Sequence, residues 1–298
     1  MMQFTDSHCH LDDIAFSDNL PQLLAQCQQL TVNRIIVPSI SPQNFNNVLN
    51  LAKRYHTPNI DKPMNIYPCL GIHPWFLHGL NNNHLEQLSA LVAKSKSEII
   101  AIGEIGLDGA IAKNAEAYGQ TIEENWVHQQ HFFDYQLNLA KQQNLPVIVH
   151  HRQSHDKIML LLKRYKLEKA GVIHGFTGSY QQATGYIDLG FKLGVGSTIT
   201  YSRAKKTINT IKRLPLSSLV LETDAPSMPL SNEIVTDDNL DTENNFIINS
   251  PVNKPVKYPI NSPQNIVKIF NVLTQIRTES PAVIAKQLEQ NIDRLFFT

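Results

Sequence analysis

Short apolar runs alternating with longer amphipathic stretches constrain this chain more than any other feature of it. Residues 34–38 (RIIVP), 65–71, 99–103, 146–149, 172–173, 191–195 and 219–221 are brief runs rich in Val, Ile and Leu, and the opening 2–5 reads as one more strand. Residues 18–30 carry Leu20, Leu23, Leu24, Cys27 and Leu30 at helical spacing, and helices over 42–55, 84–96, 123–143, 154–166, 180–188 and 203–213 separate the other runs. Strands that are always parted by a helix pair in parallel through right-handed crossovers. Eight of them predict an α/β fold closed as a (β/α)8 TIM barrel. A doubly wound open sheet is the alternative, but no glycine-rich dinucleotide fingerprint follows the first strand. The 298 residues suit a single barrel domain over 1–298, since such barrels commonly run about 250 residues. Residues 230–262 break the rhythm. Rich in Asn, Asp, Ser and Pro around an apolar island at Phe246, Ile247 and Ile248, they read as a long inserted loop, before closing helices at 262–276 and 281–296.

Composition narrows the function. Hydrophobic residues at 42% and charged residues at 17% describe a chain with a real core. With 26 basic and 26 acidic residues no global field recruits nucleic acid, anionic membrane or acidic partners, so attraction to phosphate must be local. The first residues lack the basic flank and apolar run of a signal peptide, and no apolar stretch approaches the roughly 18 residues that span a bilayer. A cytoplasmic protein, with no membrane attachment and no obligate protein partner, is expected. Cys9, Cys27 and Cys69 are widely spaced and form no Cys-x-x-Cys pair, which predicts buried thiols in place of disulfides or a thiolate zinc site.

In a barrel, the residues ending each strand line the active-site face. The first strand ends in His8 and His10, which alternation puts on one side with Cys9 turned away. The fourth ends in Glu104, the fifth in His150, the sixth in His174 and the eighth in Asp224. Singly, each has an ordinary reading as a core histidine, a paired carboxylate or a turn residue. Together they are imidazoles and carboxylates converging on one mouth, the ligand set of zinc, manganese and related divalent ions. Six ligands exceed what one tetrahedral ion needs and suit two divalent ions bridged by a carboxylate, with Glu104 as the bridge.

The segments DSHCHLD, PCLGIHPW, AIGEIGLD, LPVIVHHR, GVIHGFTGS and LVLETDAP closely resemble the TatD family of metal-dependent deoxyribonucleases, in order and spacing over almost the whole chain. The resemblance is greatest to the branch of uncharacterised TatD-related hydrolases. It implies a metallo-dependent hydrolase barrel in which His8, His10, Glu104, His150, His174 and Asp224 fall on the metal-ligand positions. It also implies two divalent ions (Zn, Mg or Mn), with Asp224 and Glu104 in the catalytic machinery and Asp224 accepting a proton from the attacking water. Among other matched residues, His73 could donate to a phosphate oxygen or serve a helix start, and Arg152 offers a bidentate phosphate fork or a surface ion pair. Thr177 and Ser179 cap the following helix or orient an anion. Asp108 stands behind the ligands or is an ordinary loop aspartate, and His151 is structural.

There are departures. Where the family has an Arg-x-Asn-x-Pro stretch after the last ligand, only Asn261-Ser262-Pro263 survives; where it has an aromatic or histidine after Gly-x-His-Pro, this chain has Trp75. Lys254 and Lys257 in the insertion could replace the missing arginine's charge. The leading function is therefore a metal-dependent phosphodiesterase, a deoxyribonuclease acting in the manner of a 3'-5' exonuclease. An alternative keeps the site and changes the substrate to a small amide, lactone or phosphate ester. Many related sites bridge their metals with a carboxylated lysine, and no lysine ends strand four or five here. A non-catalytic metal-binding barrel is the third reading, which a missing ligand would favour. None is missing.

Overall fold

A computed structural model describes residues 2–55, 64–232, 245–248 and 256–298. Its main sheet holds eight parallel strands in chain order: β1 (Phe4–Asp6), β2 (Val32–Pro38), β3 (Asn65–Leu70), β4 (Ala101–Asp108), β5 (Val147–Arg152), β6 (Gly171–Ile173), β7 (Lys192–Val195) and β8 (Leu219–Leu221). Between them lie α1 (Leu20–Gln29), α2 (Phe45–Tyr55), α3 (Asn82–Lys94), α4 (Gly109–Lys113), α5 (Ile122–Gln143), α6 (His155–Tyr165), α7 (Tyr180–Ile187) and α8 (Lys205–Arg213), and α9 (Ile266–Ile276) and α10 (Pro281–Phe296) close the chain. The barrel is sealed just past the ends of β1 and β8. Ser7 N donates to Leu221 O at 3.0 Å, Asp224 N to His8 O at 2.8 Å and His10 N to Ala225 O at 2.8 Å. This seam sets Asp224 directly against His8 and His10.

Strand alternation then sorts the side chains. Ile36, Cys69, Ala101, Ile148, Val172 and Val220, one from each of six strands, form an inner apolar cluster that Ile292, Leu295 and Phe296 of α10 join. Their neighbours Ile35, Val37, Ile66, Leu70, Val147, Val149 and Leu221 belong to the larger core beneath the helices. Each fully buried side chain of this kind contributes about 1.5–3 kcal/mol of transfer free energy. Two residues further along the inner face, Ile148 leads to His150, Val172 to His174 and Val220 to Glu222 and then Asp224. The polar layer is thus the next storey of the apolar one.

β4 departs from this parity. Its register against β5 shifts between Ile102 and Ile105, and such a bulge lets adjacent residues escape strict alternation. Glu104 can thereby join the inner cluster, although its distance from Ala101 would send it to the helix side.

Element boundaries differ from the sequence expectation in several places. β4 runs five residues past Gly103 and continues straight into the short helix α4, which apolar periodicity did not reveal. The 230–262 insertion is not wholly loop: Asn245–Ile248 (β9) and Val256–Pro259 (β10) pair antiparallel, with Val256 opposite Ile248. Both strands carry β-branched and aromatic residues, which favour strand formation. Lys254 lies outside the described residues, and of Lys257 only the strand is described. Among the described residues, no helix is long and apolar enough to cross a membrane.

Candidate metal centre

The other five ligand-type residues expected from the sequence gather around Glu104, whose two oxygens face different groups. Glu104 Oε2 lies 3.2 Å from His8 Nε2 and 3.3 Å from His10 Nε2. Asp224 Oδ1 completes this side at 3.4 Å from His8 Nε2 and 3.6 Å from His10 Nε2. Glu104 Oε1 lies 2.9 Å from His174 Nε2, 3.2 Å from His150 Nδ1 and 3.3 Å from His73 Nε2. The His8 and His174 rings stack at 3.9 Å between centroids, tying the two sides together. Asp224 reaches its place with φ at 59°. That left-handed conformation is uncommon for a residue with a side chain, though least so for Asp and Asn, and backbone strain of this kind concentrates at functional sites.

Protons alone do not satisfy this cluster. Burial, reinforced by the charge of His174, drives His8 down to about 4. Burial opposes the charged form of His174 as well, yet Glu104 outweighs it and raises His174 to about 9. Glu104 itself is held well below the usual carboxylate range, because the surrounding imidazoles overcome its burial. His8 Nε2 and His10 Nε2 face each other at 3.2 Å. Their Nδ1 atoms, and that of His174, are buried without a hydrogen-bond partner. Facing ring nitrogens among carboxylate oxygens suit a divalent cation on each side of Glu104.

His73 differs from the other imidazoles. Trp75 N donates to its Nδ1 at 3.1 Å, so a neutral His73 carries its proton on Nε2 and donates toward Glu104. The bond from Trp75 N caps the 3-10 turn Pro74–Phe76, which is the helix-start reading, and His73 also groups with Glu104 and His150 as potential metal donors. Arg152 shares His150's strand parity two residues on and is exposed at the mouth. Ser179 caps α7 by accepting from Gln182 N, while Thr177 caps nothing there; its carbonyl faces His155 Nε2 at 3.0 Å. His151 is buried against His155 and Phe176, and the cysteines are free and buried. The surviving Asn261 is structural: its amide donates to Thr223 O and Met228 O, clamping the turn that carries Asp224.

Several supporting residues escaped the sequence reading. Asp6 accepts from Thr223 Oγ1 at 2.6 Å, Thr223 N at 2.9 Å and His8 N at 3.2 Å, crossing the seam, and burial pushes its carboxyl up to about 7. Glu222 accepts from Gly175 N behind His174, and burial pushes it up to about 8. Both lie two residues before a ligand in an apolar strand, a signal the sequence held. On α5, Gln129 and Gln136 form amide forks. Gln129 accepts from Asp108 N and donates to Asp108 O, and Gln136 does the same for Ile72. The first fork holds the end of β4 and the second holds Ile72, next to His73.

The sequence profile of the TatD related DNase family matches residues 5–297. The chain belongs to that family. Among its TatD-family relatives, the "uncharacterized metal-dependent hydrolase YjjV" of Escherichia coli (strain K12) is 39% identical over 294 residues, covering 99% of this chain and 98% of the relative. A crystal structure of the E. coli YjjV TatD homologue superposes with a TM-score of 0.80 at 38% identity, covering 99% of this chain and 98% of that one. The "3'-5' ssDNA/RNA exonuclease TatD" of Edwardsiella piscicida is 29% identical over 223 residues, covering 74% of this chain and 78% of the relative.

Proposed function

We propose that this metal-dependent hydrolase cleaves phosphodiester bonds in DNA, removing nucleotides from a 3' end. The observation that carries the reading is Glu104 presenting one oxygen to His8 and His10 and the other to His150 and His174. In this reading His8, His10 and Asp224 would hold one divalent cation and His150 and His174 a second, with Glu104 available to both. Such ions, when bound, polarise a phosphoryl oxygen and acidify water at neutral pH. Asp224 takes the proton from the attacking water: its carboxyl is depressed despite burial, chiefly by the neighbouring His10, so it is ionised and able to accept. The Arg152 fork contacts the phosphate, and His73 joins it by turning its Nε2–H from Glu104 to a phosphate oxygen. The family membership and the exonuclease name of the Edwardsiella relative support DNA as substrate.

The test is hydrolysis by protein stripped with chelator and reloaded with Zn²⁺, Mn²⁺ or Mg²⁺, against 5'-labelled single-stranded DNA, duplex DNA and bis(p-nitrophenyl) phosphate. Stepwise shortening of single-stranded DNA, abolished by EDTA, is the expected result. Turnover of the small diester with intact DNA under every ion would replace the nuclease reading with a small-phosphoester hydrolase.

A further inference from the structure

Asp108 lies behind the site instead of in it. We infer that Asp108, held in place by Trp75, is a positioning residue that fixes which nitrogen of His150 is offered to the cation on that side of Glu104; the inference rests on the two-cation reading above.

His150 Nε2 faces Asp108 Oδ2 at 3.0 Å, while its Nδ1 faces Glu104 Oε1 at 3.2 Å and His174 Nε2 at 3.4 Å. A neutral imidazole has one proton to place. Glu104 is ionised as well as Asp108, so each ring nitrogen of the metal-free imidazole faces an acceptor; a cation taken up at Nδ1 would displace the proton there and leave the one on Nε2, donated to Asp108. Asp108 has little freedom to do otherwise. Its Oδ2 also accepts from Trp75 Nε1 at 2.6 Å, and its Oδ1 accepts from Ala110 N at 2.7 Å and Ile111 N at 3.0 Å at the start of α4. Its backbone is gripped by Gln129 from α5. Four donors on two oxygens fill the carboxylate's capacity. Trp75 is two residues past His73, so its indole N–H ties the loop after β3 to the ligand on β5. The substrate-facing donor and the metal-facing donor are thus registered through one carboxylate.

Carboxylates that orient a ligating imidazole typically govern metal affinity by about 10- to 100-fold. Asp108→Ala is expected to weaken one Zn²⁺ site of the stripped protein by that range, measured by competition with a chromophoric chelator. The other site, with His8, His10 and Asp224, should be unchanged. Trp75→Phe keeps the ring and drops only the N–H, and should weaken the same site by about 3- to 10-fold. Because a general loss of packing could also lower affinity, the second readout is the protonation pattern of His150 in Zn²⁺-loaded protein, from long-range ¹H–¹⁵N spectra assigned by difference with His150→Gln. Wild type should show a protonated Nε2 and a metal-bound Nδ1, and Asp108→Ala a mixture. A wild-type His150 protonated on Nδ1, or wild-type Zn²⁺ affinity in both variants, would overturn the inference. Neither readout depends on turnover, so failure of the nuclease reading is separately visible.

Discussion

The smallest unit that decides this site is a carboxylate and its surroundings, and the buried carboxylates are tuned in opposite directions. Asp224 is depressed by the histidines it meets, whereas Glu222 is raised to about 8 and Asp6 to about 7 by burial. Asp224→Asn preserves the shape and removes the proposed base, so it should keep the fold and lose on the order of 100-fold or more in turnover. Near-wild-type kcat would assign proton transfer elsewhere. For Glu222 the pH effect runs the other way from an ordinary ion-paired acid. A carboxyl whose folded pKa exceeds its unfolded value is protonated more readily in the folded state, so its contribution to stability falls as pH rises from the ordinary carboxylate range toward about 8, then levels off. In chelator-stripped protein, the stability difference between wild type and Glu222→Gln should therefore shift against wild type between pH 5 and 8. Urea midpoints that move in parallel across that window would contradict it. The sequence exposed the candidate ligands because each ends an apolar run. It hid Asp6 and Glu222 because a carboxylate inside a strand looks like a break in the pattern until the barrel interior is seen to become polar two residues before its mouth.

At the scale of the element, strands were more legible than their continuations. β2, β5 and β8 were readable as runs of Val, Ile and Leu, but β4 extends through Glu104–Asp108, and the bulge between Ile102 and Ile105 with glycines at 103 and 106 erases the periodicity. α5 shows the complementary failure. Read as an amphipathic helix, it has Phe132, Phe133, Leu137 and Ala140 inside, and Gln129 and Gln136 look like polar interruptions of that stripe. They are buried and two turns apart, each pairing both an N–H and a C=O of a strand end. Such groups are costly to orphan, at about 1–3 kcal/mol each. Gln129→Leu should lower Tm by several degrees and Gln136→Leu by a similar amount, while Asn138→Ala, on the exposed side of the same helix, should leave Tm nearly unchanged. Equal thermal stability in all three would mean that water replaces the forks without loss.

For the molecule as a whole, the net charge is zero, so the affinity of a polyanion must come from charges gathered on one face. Segments that follow β strands all emerge on the catalytic face. One of them, running from β7 into the first turn of α8, carries exposed Arg203, Lys205 and Lys206. Arg203 lies over the Tyr201 ring at 4.9 Å, and Tyr201 in turn donates its hydroxyl to Pro229 O at 2.7 Å, in the segment just past Asp224. That chain of contacts places a guanidinium beside the arm of the site that holds Asp224, on the side where the family's arginine is absent. Binding through phosphates releases counterions, and each lost contact to a single strand lowers the slope of log K against log salt by about 0.7. Arg203→Ala combined with Lys206→Ala should raise KM for single-stranded DNA several-fold at low salt and flatten its salt dependence by one to two such steps, with kcat barely altered. Hydrolysis of bis(p-nitrophenyl) phosphate, too short to reach the β7–α8 segment, should not change. If the double variant slows both substrates alike, these side chains support the site's structure and not the strand; if it slows neither, the polyanion lies over another sector of the rim.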